Sequence, residues 1–257
     1  MNIKRKLTLL ILIFLLVTAN LFAQKAGSVN YFTPLIDNKE YSQLIKGIFD
    51  DEGLDKALAN YEVLVEKISS YKYEPWMQDL ALSRACMIVA KYATEVKPER
   101  KDVATAYMTA ADKLLKSGRD KGAPESAGAI LEALSNSFWY LIDGSLSKGM
   151  AFTKLVDEAY KAHPEDFHVL LMAADRYLHS PGIAGGSRKK GLSLFEDAEK
   201  LLEEQKVAIW DRFTIYSGLA YGHWKRKNKS KALEYALLAK DIYKADSTIN
   251  EIIADLT

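Results

Sequence analysis

The stretch His179-Ser180-Pro181-Gly182-Ile183-Ala184-Gly185-Gly186-Ser187-Arg188-Lys189-Lys190 decides the reading of the fold. Before it, residues 167–178 carry an apolar helical pattern. After it, residues 187–204 carry an amphipathic one. The link holds one proline and three glycines, the residues of turns. It ends on Ser187, whose hydroxyl suits a helix N-cap. Helix, turn, helix is therefore the unit, and the rest of the chain repeats it.

Toward the C-terminus, helical patterns at residues 207–225 and 230–245 flank a basic turn, Lys225-Arg226-Lys227-Asn228-Lys229-Ser230-Lys231. Residues 247–257 suit one further turn of helix. Toward the N-terminus, a pattern at residues 146–162 stops at Pro164, and another covers 124–142. A third, at 102–116, ends in Gly118 to Gly122. The pattern at 76–96 is apolar on more than one side, so it expects helices on both flanks, and Pro75 suits its first position. Leu54, Ala57, Leu58, Tyr61, Leu64, Val65 and Ile68 recur at three- and four-residue spacing, one helical face. A short helix fits 40–50. No alternation of period two runs far enough to compete. The expected fold is all-α: a right-handed α-solenoid of about five helical hairpins over residues 40–257, after a lead-in at 24–39. Equivalent second-helix positions at Ala57, Ala104, Phe152, Gly191 and Ala232 are spaced 47, 48, 39 and 41 apart, as in a helical-hairpin array with variable loops.

Residues 1–23 form a separate object. Lys4, Arg5 and Lys6 precede an apolar run from Leu7 to Val17, and a small residue, Ala23, closes it. This is the pattern of a secretory signal peptide cut after Ala23. The apolar run falls short of the ~20 residues of a membrane span, so membrane attachment is expected only if the segment stays uncleaved. The expected location is the periplasm or the secreted fraction. Removing three cations and no acids leaves 32 Lys and Arg against 34 Asp and Glu, a formal charge of −2. That balance lacks the basic footprint of a nucleic-acid binder. The single cysteine, Cys86, lies in Ala85-Cys86-Met87-Ile88-Val89 and reads as a buried small hydrophobe.

The last two hairpins resemble tetratricopeptide repeats. Tyr216, Leu219, Ala220 and His223, then Ala232, Ala236 and Ala239, match that family's pattern of large and small residues in a helix pair. Leu170, Ala173, Ala174 and Tyr177, then Gly191, Phe195 and Ala198, match it in the hairpin before. That hairpin departs from the ~34-residue period by an insertion held by Pro181 to Gly186. The resemblance implies that the first helix of each pair lines a concave surface. His168, Leu171 and Asp175 would stand there from one repeat, and Thr214, Ser217, Tyr221 and Trp224 from the next. Tyr221 and Trp224 would be exposed aromatics suited to a peptide or ligand. The Pro-x-x-x-Gly-Gly loop also resembles the T component associated with tripartite periplasmic (TRAP) transporters. Members of that family are helical-repeat proteins that partner a solute-binding protein.

Two other clusters are candidate sites. Ser187, Arg188 and Lys189 combine free helix-start N–H groups with cations and would suit an anion, yet the spacing is not that of a P-loop, and a capped glycine turn explains the same residues. His163 and His168 lie in His-Pro-Glu-Asp-Phe-His, but a closed zinc site wants about four ligands and no others can be named. No metal, cofactor or catalytic residue is expected. No His-Glu-x-x-His or Gly-x-Ser-x-Gly motif is present. The functional expectation is an exported, non-enzymatic scaffold or adaptor for a protein or peptide partner. Its alternatives are a transporter-associated component that binds a small solute or a periplasmic solute-binding protein, and an enzyme with an unrecognised site.

Overall fold

The structure, a computed structural model, describes residues 30–257. The expected signal peptide and the first part of the lead-in lie outside the described residues. A short 3-10 turn at Thr33–Leu35 precedes the helices α1 (Lys39–Phe49), α2 (Leu54–Ser70), α3 (Pro75–Glu95) and α4 (Lys101–Asp120). Then come α5 (Glu125–Asp143), α6 (Leu146–Ala162), α7 (Phe167–His179), α8 (Arg188–Leu201), α9 (Ile209–Lys225), α10 (Lys229–Ile242) and α11 (Ser247–Leu256). Among the described residues every regular element is helical.

The helix starts follow from local chemistry. Side chains of Asn38, Asp166, Ser187, Asn228 and Asp246 accept backbone N–H bonds in the first turns of α1, α7, α8, α10 and α11, satisfying donors that a helix start leaves without partners. Pro75 occupies the first turn of α3, where a missing N–H costs nothing. Two boundaries differ from the sequence reading. α4 runs through Gly118 to Asp120, because Gly118 packs against Leu80: a Cβ there would lie 2.7 Å from Leu80 Cδ2. The chain breaks instead at Gly122, with φ +91°. The tail forms a ten-residue helix, anchored by the buried Ile249 and Ile252.

Sequence-adjacent helices pack in pairs, α1 with α2, α3 with α4, α5 with α6, α7 with α8, and α9 with α10, while α11 covers α10 and α9. The first helices also pack on one another, α3 on α5, α5 on α7, α7 on α9. This stacking is solenoid-like. α3 is its centre, buried from Leu80 to Ala90 on all sides. The first pair returns to the last: Phe49 stacks on Tyr243 with ring centroids 4.3 Å apart and meets Phe213 edge-on at 5.0 Å. Lys206, ahead of α9, and Asp37, ahead of α1, join at 2.7 Å.

The glycine stretch is a tightly tied loop. Gly186 has no room for a side chain, since a Cβ would fall 1.8 Å from the Ser180 carbonyl oxygen. Gly185 takes φ +77°, a conformation that glycine adopts without steric cost. The buried Arg176 holds the loop from inside: Nη1 donates to the Gly185 carbonyl at 3.0 Å and Nη2 to Asp157 at 2.9 Å. At Gly191, a Cβ would lie 2.4 Å from the Leu178 backbone nitrogen, so α7 and α8 approach through this glycine.

Candidate functional site

α3, α5, α7 and α9 share a cavity of about 310 Å³ that opens to solvent. α3 contributes Arg84 and Lys91, and α5 contributes Ile130, Leu134, Ser137 and Phe138. His168, Leu171, Met172 and Asp175 line it from α7, and Trp210, Asp211 and Thr214 from α9. Phe152 reaches in from α6, and Phe32 from the lead-in. The lining is mainly apolar and aromatic with a few polar groups, the composition of a small-molecule site.

The polar groups of the wall are tightly arranged. Arg84 and Asp211 form a two-pronged pair: Nη1 donates to Oδ2 at 3.1 Å and Nη2 donates to Oδ1. Both side chains are buried. Burial works to raise the Asp211 carboxyl pKa, and the Arg84 guanidinium nevertheless holds it below the ordinary carboxylate value. Burial likewise works against the Arg84 charge, and Asp211 restores it, so the guanidinium pKa rises. The guanidinium carbon also sits 4.4 Å from the centroid of Phe32, a cation–π contact.

His168 lies beside this pair. Its ring meets Phe32 edge-on at 4.8 Å, Phe167 at 4.9 Å and Tyr31 at 5.5 Å. Burial pushes its pKa down to about 4; Asp211 pulls the value up and Arg84 pushes it further down. The imidazole is therefore neutral across the physiological range. Tyr31 shares a 2.5 Å hydrogen bond with Ser126 on α5, which anchors the lead-in over the cavity wall.

Two ionic side chains stand where the cavity meets solvent. Lys91 reaches along its own helix to Glu95 at 2.5 Å. Asp175 is paired differently: its nearest cationic partner is His179 Nε2, 3.7 Å away and outside hydrogen-bond reach. The Asp175 carboxyl pKa is raised by burial among its neighbours in the concavity, although about half of the side chain faces open space (53% exposed).

Of the residues expected on the concave surface, His168, Leu171, Asp175 and Thr214 come together in this cavity. Ser217, Tyr221 and Trp224 lie farther along α9 and do not line it. Ser217 donates to the Thr214 carbonyl at 3.2 Å. Tyr221 packs on His179 at 4.9 Å. Trp224 donates from Nε1 to Asp255 at 2.7 Å, and the Lys225 ammonium covers its ring at 3.6 Å. Both aromatics are half-buried and engaged within the chain. At the anion candidate, the Ser187 hydroxyl accepts from the Lys190 N–H at 3.3 Å, while Arg188 and Lys189 are exposed. The Lys190 ammonium turns away onto the Tyr177 ring at 3.7 Å.

No known protein family, curated protein or solved structure matches this chain. The reading of the site therefore rests on its own residues. Sequence reasoning passed over Arg84 and Asp211, although Arg84 interrupts the apolar run Leu80-Ala81-Leu82-Ser83-Arg84-Ala85-Cys86. A charge inside a helix buried on all sides requires a partner, and that signal was open to view. The partner's identity was not, since it lies 127 positions away. No group of three or more His, Cys, Asp or Glu side chains among the described residues is placed to hold a metal ion.

Proposed function

We propose that this chain is an exported, non-enzymatic binding protein of the cell envelope. It is a right-handed solenoid of about five tetratricopeptide-like hairpins whose central cavity takes a small solute, as in a transporter-associated component. The observation that carries this reading is the cavity itself, walled by Phe32, Phe138, Phe152 and Trp210 around a neutralised Arg84–Asp211 pair. Its volume, about 310 Å³, is at the lower end of the range for small-molecule sites, ~300–1,000 Å³. A binding role suits the chemistry of the polar groups: Arg84 and Asp211 are consumed by one another, and His168 is enclosed by three aromatic rings. The signal-like residues 1–23 supply the route of export, with the mature chain starting at Gln24.

A second reading, docking of a protein partner, is favoured by a separate surface. Leu141, Leu146 and Met150 at the α5–α6 turn are 54%, 73% and 74% exposed, and Tyr140 stands beside them. Large exposed apolar side chains gathered at one turn suit an interaction surface. The two roles are compatible, since a solute-loaded component of a transporter also needs a protein partner.

The test is native mass spectrometry of the chain recovered from its own envelope fraction. The expected result is a chain starting at Gln24 with excess mass that is released on denaturation. In Ser137→Trp, which fills the cavity from α5, the excess mass should vanish while helicity is kept. An unprocessed chain in the cytosol would refute export, and a bound molecule indifferent to Ser137→Trp would refute the cavity as its site.

A further inference from the structure

The charges around the cavity are not equally available. Arg84 is held by both carboxylate oxygens of Asp211, with the Phe32 ring against its face. Lys91 is held by Glu95 in the next turn of α3. Both cations of the wall therefore have an acid in contact. Asp175 does not have the converse: His179 stands at 3.7 Å, and no lysine or arginine forms an ion pair with it among the described residues. Phe138, Phe152 and Trp210 line the same cavity as Asp175. A carboxylate that shares a cavity with aromatic rings suits one class of ligand, an organic cation. The carboxylate supplies a charge-assisted hydrogen bond, and the rings supply cation–π attraction for the charged end and apolar contact for the body. An anionic ligand would have to displace Glu95 from Lys91 or Asp211 from Arg84, and would meet Asp175 as a like charge.

Resting on the proposal that the cavity takes a small solute, we propose that the solute is a primary or secondary amine with a compact apolar body, its ammonium at Asp175. The body lies against Leu171, Met172 and the aromatic wall. The cavity volume limits the ligand to roughly the size of one aromatic ring with a short side chain.

Three probes of nearly equal shape separate the possibilities: phenethylamine, 2-phenylethanol and 3-phenylpropionate. Each is titrated calorimetrically into the full chain at pH 7. The amine is expected to bind at least tenfold more tightly than the alcohol, and the propionate more weakly than either. Asp175→Asn should bring the amine down to the level of the alcohol and leave the alcohol unchanged. Asp175 is half exposed, so this variant is expected to keep its fold, which circular dichroism checks. Equal binding of amine and alcohol, or strongest binding of propionate, overturns the assignment of a cation while leaving the cavity as a solute site. If none of the three binds, the cation proposal falls; the cavity reading falls separately, if a molecule carried by the chain stays bound in Ser137→Trp.

Discussion

Arg84 and Asp211 stand 127 positions apart in the chain and meet inside the molecule, α3 donating to α9 through two parallel hydrogen bonds. The pair joins the second helix pair to the fifth and forms part of the cavity wall. Asp211 is fully buried and Arg84 is 8% exposed. Breaking such a pair strands a charge, which costs about 3–5 kcal/mol, whereas replacing both partners by apolar side chains of similar volume is often neutral. Arg84→Met alone and Asp211→Leu alone should each lose stability in that range. The double variant should recover most of it. Urea unfolding of the four proteins measures this, and additive losses would show that the two charges do not depend on one another.

His168 makes folding sensitive to acid. Its folded pKa, about 4, lies below the ordinary histidine value of 6.5. Between those values the unfolded chain binds the proton and the folded chain does not. The contribution is therefore complete above about pH 6.5 and is lost as pH falls toward about 4, an amount on the order of 3 kcal/mol. Urea unfolding at pH 7 and pH 4.5 should show a smaller pH-dependent loss for His168→Phe than for the unaltered chain. Equal slopes would place the imidazole in water.

The glycine loop tolerates substitution unevenly. A Cβ at Gly186 would lie 1.8 Å from the Ser180 carbonyl oxygen, and one at Gly191 2.4 Å from the Leu178 nitrogen, both backbone atoms that cannot swing aside. At Gly182 nothing lies within 4 Å. Gly186→Ala and Gly191→Ala should each cost at least the ~1–3 kcal/mol typical of overpacking, and Gly182→Ala should fall within about 0.5 kcal/mol of the unaltered protein. Thermal melts rank the three.

How much of this was legible in the sequence differs by level. The start of α8 was readable because Ser187 carries its information locally, in a side chain that bonds three residues ahead; Asn38, Asp166 and Asp246 cap their helices in the same way and were not read as caps. The sequence pattern ends α4 at Lys116, four residues short of Asp120, because a glycine that breaks a helix and one that admits Leu80 look alike in a string of letters. On α7, the tetratricopeptide resemblance implied a concave surface carrying His168, Leu171 and Asp175, and all three line the cavity. Tyr221 and Trp224 follow the same logic along α9 and yet lie outside it. α11 and Lys225 supply contacts for Trp224, and His179 for Tyr221, none of which a repeat pattern contains. Phe32 was invisible as a wall residue because the lead-in has no periodicity, and only packing brings it under Arg84.

Cys86 offers a simple check on the core. It is buried, its sulfur lies 2.8 Å from the Tyr61 hydroxyl, and burial raises its pKa to about 11. Since the thiolate is the reactive form, a water-soluble disulfide reagent at pH 8 should leave the folded chain unmodified and titrate one thiol in denaturant. Rapid labelling without denaturant would contradict the packing of α2 on α3.

The most direct measurement is a crystal structure of the chain purified with whatever it carries from its own cell envelope. The account predicts ligand density between Phe138, Phe152 and Trp210, within reach of Asp175. An empty cavity with a molecule bound instead at Tyr221 and Trp224, or on the Leu146–Met150 face, would contradict it.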